Sequence, residues 1–276
     1  MRKHVSNEIH DVNRKRWDAG SEQWAKRADS RGLWRRCPSE PELVLSDTEL
    51  EYFADISGKR VCVLGSGDNQ VVFALAGLGG ILTSVDISQK QLDVAERRAL
   101  ELDLSISFIR ADVTDLSAID TNTFDIVYTG GHVAVWVSDI DTYYAEATRI
   151  ICPSGLFIVA EYHPFRRIWR ESSDRLTVEY PYFERGPFEY DVSEDILFSK
   201  PGMMKSYEFH WTISDHINAA LKAGCRVLEV GEFGEDVADW EEAPLHGLPE
   251  YLLIIARKEV DQSLVGAASE TVQGEA

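Results

Sequence analysis

Four cysteines in 276 residues, none in a C-x-x-C or other paired spacing, leave little from which to build a metal site or a disulfide framework. Cys62, Cys152 and Cys225 lie in or beside apolar segments and read as buried reduced thiols. No metal is expected. Positive charge is also scarce: 28 Lys and Arg stand against 47 Asp and Glu, a net charge of −19. Nucleic-acid binding rests on basic surface that neutralises phosphates, so the expected partner is a small molecule, with no nucleic acid and no membrane. No apolar run reaches membrane-spanning length, and the stretch MRKHVSNEIHDVNRKRW lacks the apolar core of a secretory signal. A soluble cytoplasmic protein, monomer or homodimer, is the expectation.

What is there is a globular composition, 44% apolar and 27% charged, long enough to bury one large core. The middle of the chain alternates strand and helix: strand 60–65, helix 70–78, strand 81–86, helix 88–103, strand 105–110, strand 124–129, helix 139–150 and strand 155–161. Near-continuous apolar strands in this rhythm predict a parallel sheet covered on both faces. A helix over 214–223 resumes the pattern, followed by strands 226–231 and 250–257. No helix separates these last two strands, which predicts an antiparallel strand at one edge. Before the sheet, Pro41 to Phe53 reads as one helix. Trp17 and Trp24, seven residues apart, share a face if the N-terminal segment is helical. That arm is either stapled onto the domain or laid as a lid over a ligand.

The chemistry begins at VCVLGSGDN. The strand ending at Leu64 runs into Gly65-Ser66-Gly67, whose glycines permit a tight turn and a close backbone approach to a ligand. A helix N-terminus follows with unpaired N–H groups, and Asp86 lies 21 residues beyond Gly65, after the second strand. An acid there can accept two ribose hydroxyls, so a nucleoside-containing cofactor is expected. The dinucleotide fingerprint G-x-G-x-x-G is incomplete, because position 70 is Gln. The third strand ends in Arg110-Ala111-Asp112-Val113, with an acid suited to an adenine amino group. The fourth ends in FDIVYTGG, followed by His132.

At this point the chain resembles the class I S-adenosylmethionine-dependent methyltransferases, in particular the small-molecule branch. The resemblance rests on VCVLGSGDN, SVDIS, FIRADVTDL, FDIVYTGG and ICPSGLFIVAEYHPF, in order, and covers roughly residues 10 to 258. It implies a Rossmann-like, doubly wound, mostly parallel seven-stranded sheet with an antiparallel edge strand and a substrate-cap insert. It implies S-adenosyl-L-methionine as cofactor, with Gly65, Ser66 and Gly67 passing the methionine part, Asp86 on the ribose and Ile87 packed on the adenine. Asp112 would meet the adenine amino group with Val113 beside it, and Thr129 to His132, including Gly130, would line the transferred methyl. The family usually has an acid where this chain has Val63 and often a glycine where it has Asn69. Asp68, in the same turn, is the candidate to replace the missing acid.

Methyl transfer from a sulfonium is mostly alignment, though an oxygen or protonated nitrogen acceptor can also need a base. His132 and His163 follow the fourth and fifth strands, where open α/β sheets place ligands, and are the candidate bases, His163 favoured. Glu161 either orients His163 or bonds backbone. The divisions expected are an arm over 1–54, a cofactor core over 55–161, an insert over 162–211, a completion of the sheet over 212–260 and a tail over 261–276. The insert is rich in aromatics and arginine. Its Tyr162, Arg166 and His210, with Glu161 and the arm's Trp17 and Trp24, are the candidate substrate residues. The resulting expectation is methyl transfer to oxygen or nitrogen of a small aromatic or heteroaromatic metabolite. The alternatives are a nicotinamide-dependent oxidoreductase and a non-catalytic S-adenosylmethionine-binding protein.

Overall fold

The structure is a computed structural model describing residues 2–67, 70–170, 174–192, 204–234, 239–240 and 243–260. Helices α1 (Arg2–Arg31) and α2 (Leu33–Arg36), a 3-10 turn (Pro41–Leu43) and α3 (Asp47–Tyr52) precede the sheet. Then come β1 (Arg60–Leu64), α4 (Gln70–Gly77), β2 (Ile81–Asp86), α5 (Gln89–Glu101), β3 (Ile106–Arg110), β4 (Phe124–Gly130), α6 (Ile140–Ile150) and β5 (Ile151–Tyr162). A 3-10 turn (Pro164–Arg167) leads to the antiparallel pair β6 (Phe188–Asp191) and β7 (Lys205–Glu208), and α7 (Ile213–Lys222) returns to the core. The chain closes with β8 (Cys225–Phe233), the two-residue pair β9 (Asp239–Trp240) and β10 (Ala243–Pro244), and β11 (Tyr251–Lys258).

Seven strands form one sheet in the order β3-β2-β1-β4-β5-β11-β8. The pairings from β3 through β5 are parallel, and β11 runs antiparallel to both β5 and β8. No helix joins β8 to β11 among the described residues, so the chain returns in the opposite sense and fills the space between β5 and β8. Alternation along the strands feeds two cores. Cys62 and Leu64 of β1 pack with Tyr143, Tyr144 and Ala147 of α6 and with Ala219 and Ala220 of α7. Val61 and Val63 pack on the other face with Phe73 and Leu75 of α4, Trp34 and Phe53. With both faces covered, the strands must be apolar throughout, which is why the sequence signal was strong.

The segment Pro41 to Phe53, expected as one helix, is broken between Leu43 and Asp47. Ser46 caps α3: its hydroxyl accepts the Glu49 N–H at 3.3 Å, and the Glu49 carboxylate accepts the Ser46 N–H at 2.9 Å. A reciprocal box of this kind starts a new helix in place of continuing an old one. The carboxyl ends of β1 to β5 lie along one edge, and α1 runs past them.

Candidate active site

One cavity of about 950 Å³ opens at those strand ends. Gly65 (φ 62°) and Gly67 (φ 50°) turn its floor in the left-handed region, and a Cβ on Gly65 would sit 2.5 Å from Val133. Only glycine fits there. Asp86 ends β2 with both oxygens held by backbone: Oδ2 accepts the Gly67 N–H at 2.8 Å and Oδ1 the Ser88 N–H at 2.7 Å. This locks the carboxylate at the cavity wall beside Ile87 and Ser66, which also line it. Gln91 of α5, which the sequence reading missed, lines the same wall, is 5% exposed and has no hydrogen-bond partner for its buried Oε1. A buried acceptor without a donor beside a fixed carboxylate is an observation in favour of a hydroxyl- or amine-bearing ligand. The cradle therefore fits the adenosine part of S-adenosylmethionine, with Gly65 to Gly67, Asp86, Ile87 and Val113 as its walls. Asp68 and Asn69 lie outside the described residues.

Asp112 lines the cavity too, but its carboxylate is already engaged. Oδ2 accepts from Nδ1 of His10 at 2.6 Å, and Oδ1 accepts from the N–H and hydroxyl of Thr114 at 2.9 and 2.8 Å. Burial pushes this acid up, yet the His10 and Thr114 hydrogen bonds hold it below its ordinary value. His10 also receives the Ser138 N–H on Nε2 at 3.0 Å, so its own proton is on Nδ1. One histidine of α1 thus ties the ends of β3 and of the segment after β4. Further along, Asp18 accepts the Ser88 hydroxyl at 2.6 Å, and Asn13 exchanges two amide hydrogen bonds with Tyr207 at 2.9 and 2.8 Å. The arm is therefore fastened across the cleft at both sides. Trp17 and Trp24 share its inner face, 4.8 Å between ring centroids, and both line the cavity; Trp136 meets Trp17 edge-on at 5.1 Å.

The other end of the cleft is made of side chains from distant segments. Trp136, Tyr162 of β5, and Phe233 and Tyr251 of the C-terminal strands supply aromatic surface. Tyr162 is the one described residue of 162–211 that lines the cavity. Several of the insert's other rings pack on one another, as with Phe188 against His210 at 4.3 Å and Tyr180 against Phe188 at 4.9 Å, while Trp211 donates to the carbonyls of Ala134 and Val137 at 3.1 and 3.0 Å. His132 lines the cleft with a φ of 92°, unusual for a side-chain-bearing residue. Arg167 donates to its Nδ1 at 3.3 Å. A guanidinium only donates, so the neutral ring carries its proton on Nε2. Burial, with Arg167, Arg16 and His210 nearby, holds its pKa well below the ordinary histidine value. With Nδ1 occupied and its pKa held low, the ring is not arranged to accept a proton.

His163, the favoured base, is placed elsewhere. It is fully buried outside the cleft, with Nε2 on Glu232 at 2.7 Å and Nδ1 accepting the Phe165 N–H at 3.2 Å, where it caps the 3-10 turn. Glu161 does not orient it. The Glu161 carboxylate accepts the N–H groups of Val133 and Ala134 at 3.1 and 3.0 Å, fixing the segment that carries His132. Burial pushes this acid up to about 7. His210 lies near Glu208 at 3.6 Å and faces a separate chamber of about 30 Å³, behind His132. Arg166 is buried and pairs with Glu250 at 3.9 Å, and Gly130 ends β4 behind the cleft wall, where Gly131 takes the lining position. Glu161, Arg166, His163 and His210 therefore support the cleft without lining it. Such roles depend on which strand neighbours which, and no local motif marks them.

Residues 62–159 match the family described as a methyltransferase domain. The uncharacterized methyltransferase YbaJ of Bacillus subtilis is 30% identical over 152 residues, 54% of this chain and 56% of that protein. A ubiquinone biosynthesis O-methyltransferase of Xanthomonas oryzae is 28% identical over 121 residues, 43% of this chain and 50% of that protein. The chain thus spans about half the length of the curated relatives it matches. An S-adenosylmethionine-dependent methyltransferase of Mesorhizobium loti superposes with a TM-score of 0.57 at 23% identity, over 77% of this chain and 99% of that one, which shows the fold. Among the described residues no helix is long and apolar enough to cross a membrane, and no cluster of His, Cys, Asp and Glu is placed to hold a metal.

Proposed function

We propose that this chain, whose residues 62–159 match the methyltransferase-domain family, transfers a methyl group from S-adenosylmethionine to oxygen or nitrogen of a small aromatic or heteroaromatic metabolite. The observation that carries this reading is the continuity of one cavity. Its floor is the glycine turn with Asp86, and its far walls are Trp17, Trp136, Tyr162 and Tyr251. At about 950 Å³ it stands near the top of the usual range for small-molecule sites, roughly 300–1,000 Å³, as two ligands side by side require. The aromatic walls favour a flat acceptor.

S-adenosylmethionine, when bound, supplies a methyl already made electrophilic by its sulfonium. The protein's part is then alignment and exclusion of water. Asp86 and Gln91 hold the nucleoside end, and the Trp17–Trp24–Trp136 cluster closes the cleft from the side of α1. His132 lines the cleft wall as a neutral ring, held in its tautomer by Arg167, with its segment fixed by Glu161. No side chain lining the cleft is arranged as a base among the described residues. This suits an acceptor whose nucleophile is a neutral amine or an oxygen already ionised. The test is methyl transfer from isotopically labelled S-adenosylmethionine to a panel of small phenols, catechols and aromatic amines, alongside calorimetry with the cofactor and with NAD. Label transfer to one of these classes is the expected result. Binding of NAD with no response to S-adenosylmethionine or S-adenosylhomocysteine would overturn the reading.

A further inference from the structure

Glu49 is a buried carboxylate, 4% exposed, that lines the cofactor cavity from α3. Its partners are neutral: the Tyr128 hydroxyl donates to Oε1 at 2.9 Å, and the Ser46 N–H and hydroxyl donate to Oε2 at 2.9 and 2.7 Å. Among the described residues no cation forms an ion pair with it. Arg31 lines the same cavity but is exposed and is not joined to Glu49. An acid taken from water without a cation is costly, and a ligand that brings a cation offsets that cost. Tyr128 lies on β4 directly beside Val63 of β1 in the sheet register. Val63 is the position at which an acid was expected. The Tyr128 hydroxyl stands at the end of β4, so close to Gly130 that a Cβ there would come within 2.5 Å of it. The carboxylate is therefore bonded to the residue that neighbours Val63 in the sheet, on the wall of the cavity that Gly65, Gly67 and Asp86 also line.

We propose that Glu49, positioned by Tyr128 and Ser46, binds the α-ammonium group of S-adenosylmethionine and so replaces the acid missing at Val63. The ammonium, not the sulfonium, is the partner because it carries N–H donors for the open lone pairs of the two oxygens, whereas the sulfonium has none. The assignment rests on S-adenosylmethionine being the ligand of the cleft. Three ligands separate the possibilities by calorimetry on the full chain. S-adenosylmethionine has both cations, S-adenosylhomocysteine has the ammonium only, and 5′-deoxy-5′-methylthioadenosine has neither. Glu49→Gln keeps the shape, with its carbonyl oxygen on the Ser46 N–H and hydroxyl and its amide N–H turned to the Tyr128 oxygen. It is expected to weaken the first two ligands equally, by roughly tenfold to a hundredfold, and to leave the third unchanged. Tyr128→Phe should show the same selectivity with a smaller loss. Equal weakening of all three ligands would mean a structural role and overturn the assignment, as would no weakening of any. Loss confined to S-adenosylmethionine would overturn it in favour of the sulfonium. Failure of the unaltered protein to bind any of the three would instead remove the cofactor itself, a result distinct from each of these.

Discussion

At one end of the cleft, Gly65, Gly67, Asp86 and Val113 sit on the turns that follow β1, β2 and β3, and backbone N–H groups hold the key acid. At the other end, Trp17, Trp136, Tyr162 and Tyr251 come from an N-terminal helix, a short 3-10 turn and two strands far apart in sequence. Ionisable groups support them from behind: buried Glu161, Glu208 and His210, with the partly buried Arg167. Although Glu208 is buried, Arg167 and His210 hold it below the usual carboxylate range. The first end is a backbone device repeated from strand to strand, and it asks only for glycines and acids at fixed spacing. The second is a side-chain device that carries charge in the interior. The two should therefore respond differently to mutation: the first through ligand affinity, the second through stability and its pH dependence.

The largest effect is expected at Glu161. Burial raises its folded pKa to about 7, above the unfolded value near 4.5, so the unfolded state binds fewer protons between these limits. Its contribution is fully present below about pH 4.5 and is lost as pH rises to about 7, a change of roughly 3 kcal/mol. His216 works in the opposite sense. Burial lowers it to about 4, so its contribution grows as pH rises towards the ordinary histidine value. The informative quantity is thus the difference between the unaltered protein and Glu161→Gln, measured by urea unfolding from pH 5 to 7.5. That difference should move against the unaltered protein as pH rises. A difference independent of pH would mean that the carboxyl keeps an ordinary pKa.

Asp86→Ala should weaken S-adenosylmethionine binding by roughly tenfold to a hundredfold, the scale of a charge-assisted hydrogen bond. Unchanged affinity in a folded variant, read by calorimetry, would detach the acid from the ribose and break the comparison at its first end. His163→Ala should cost about 1–3 kcal/mol in unfolding free energy, through the space left by a fully buried ring and the lost cap on the Phe165 N–H, and leave cofactor affinity unchanged. A fall in affinity without a fall in stability would return His163 to the cleft.

The smallest effect concerns His132. With Nδ1 occupied by Arg167 and its pKa held low, the transfer rate should stay level as pH falls from 8 to 6. A rate that drops through the ordinary histidine range, with the drop removed by His132→Ala, would identify the residue as a base and contradict the tautomer drawn here.

The alternation of strand and helix, the glycine turn and the acids after β2 and β3 were legible in the chain because each depends on neighbours a few residues away. A strand buried on both faces must be apolar, and a tight turn beneath a ligand must be glycine. Even there local chemistry misled at the edges. The strand expected over 155–161 begins earlier, at Ile151, which pairs with Phe124 across a register shift. The break before α3 was likewise hidden, although Ser46 and Glu49 have the spacing of a capping box.

What only the tertiary structure decided is which side chains meet across strands and layers. Whether His163 faces a ligand or Glu232 depends on where β8 and β11 fall beside β5. Whether the insert's rings line a cleft or pack on one another depends on the pairing of β6 with β7 and the course of α1 across them. Glu49 becomes a cavity acid because β4 carries Tyr128 next to Val63, residues 65 positions apart in the chain. The period of a strand is an energy written locally, in alternate burial. The identity of a neighbour across the sheet follows from topology, which the whole chain settles at once.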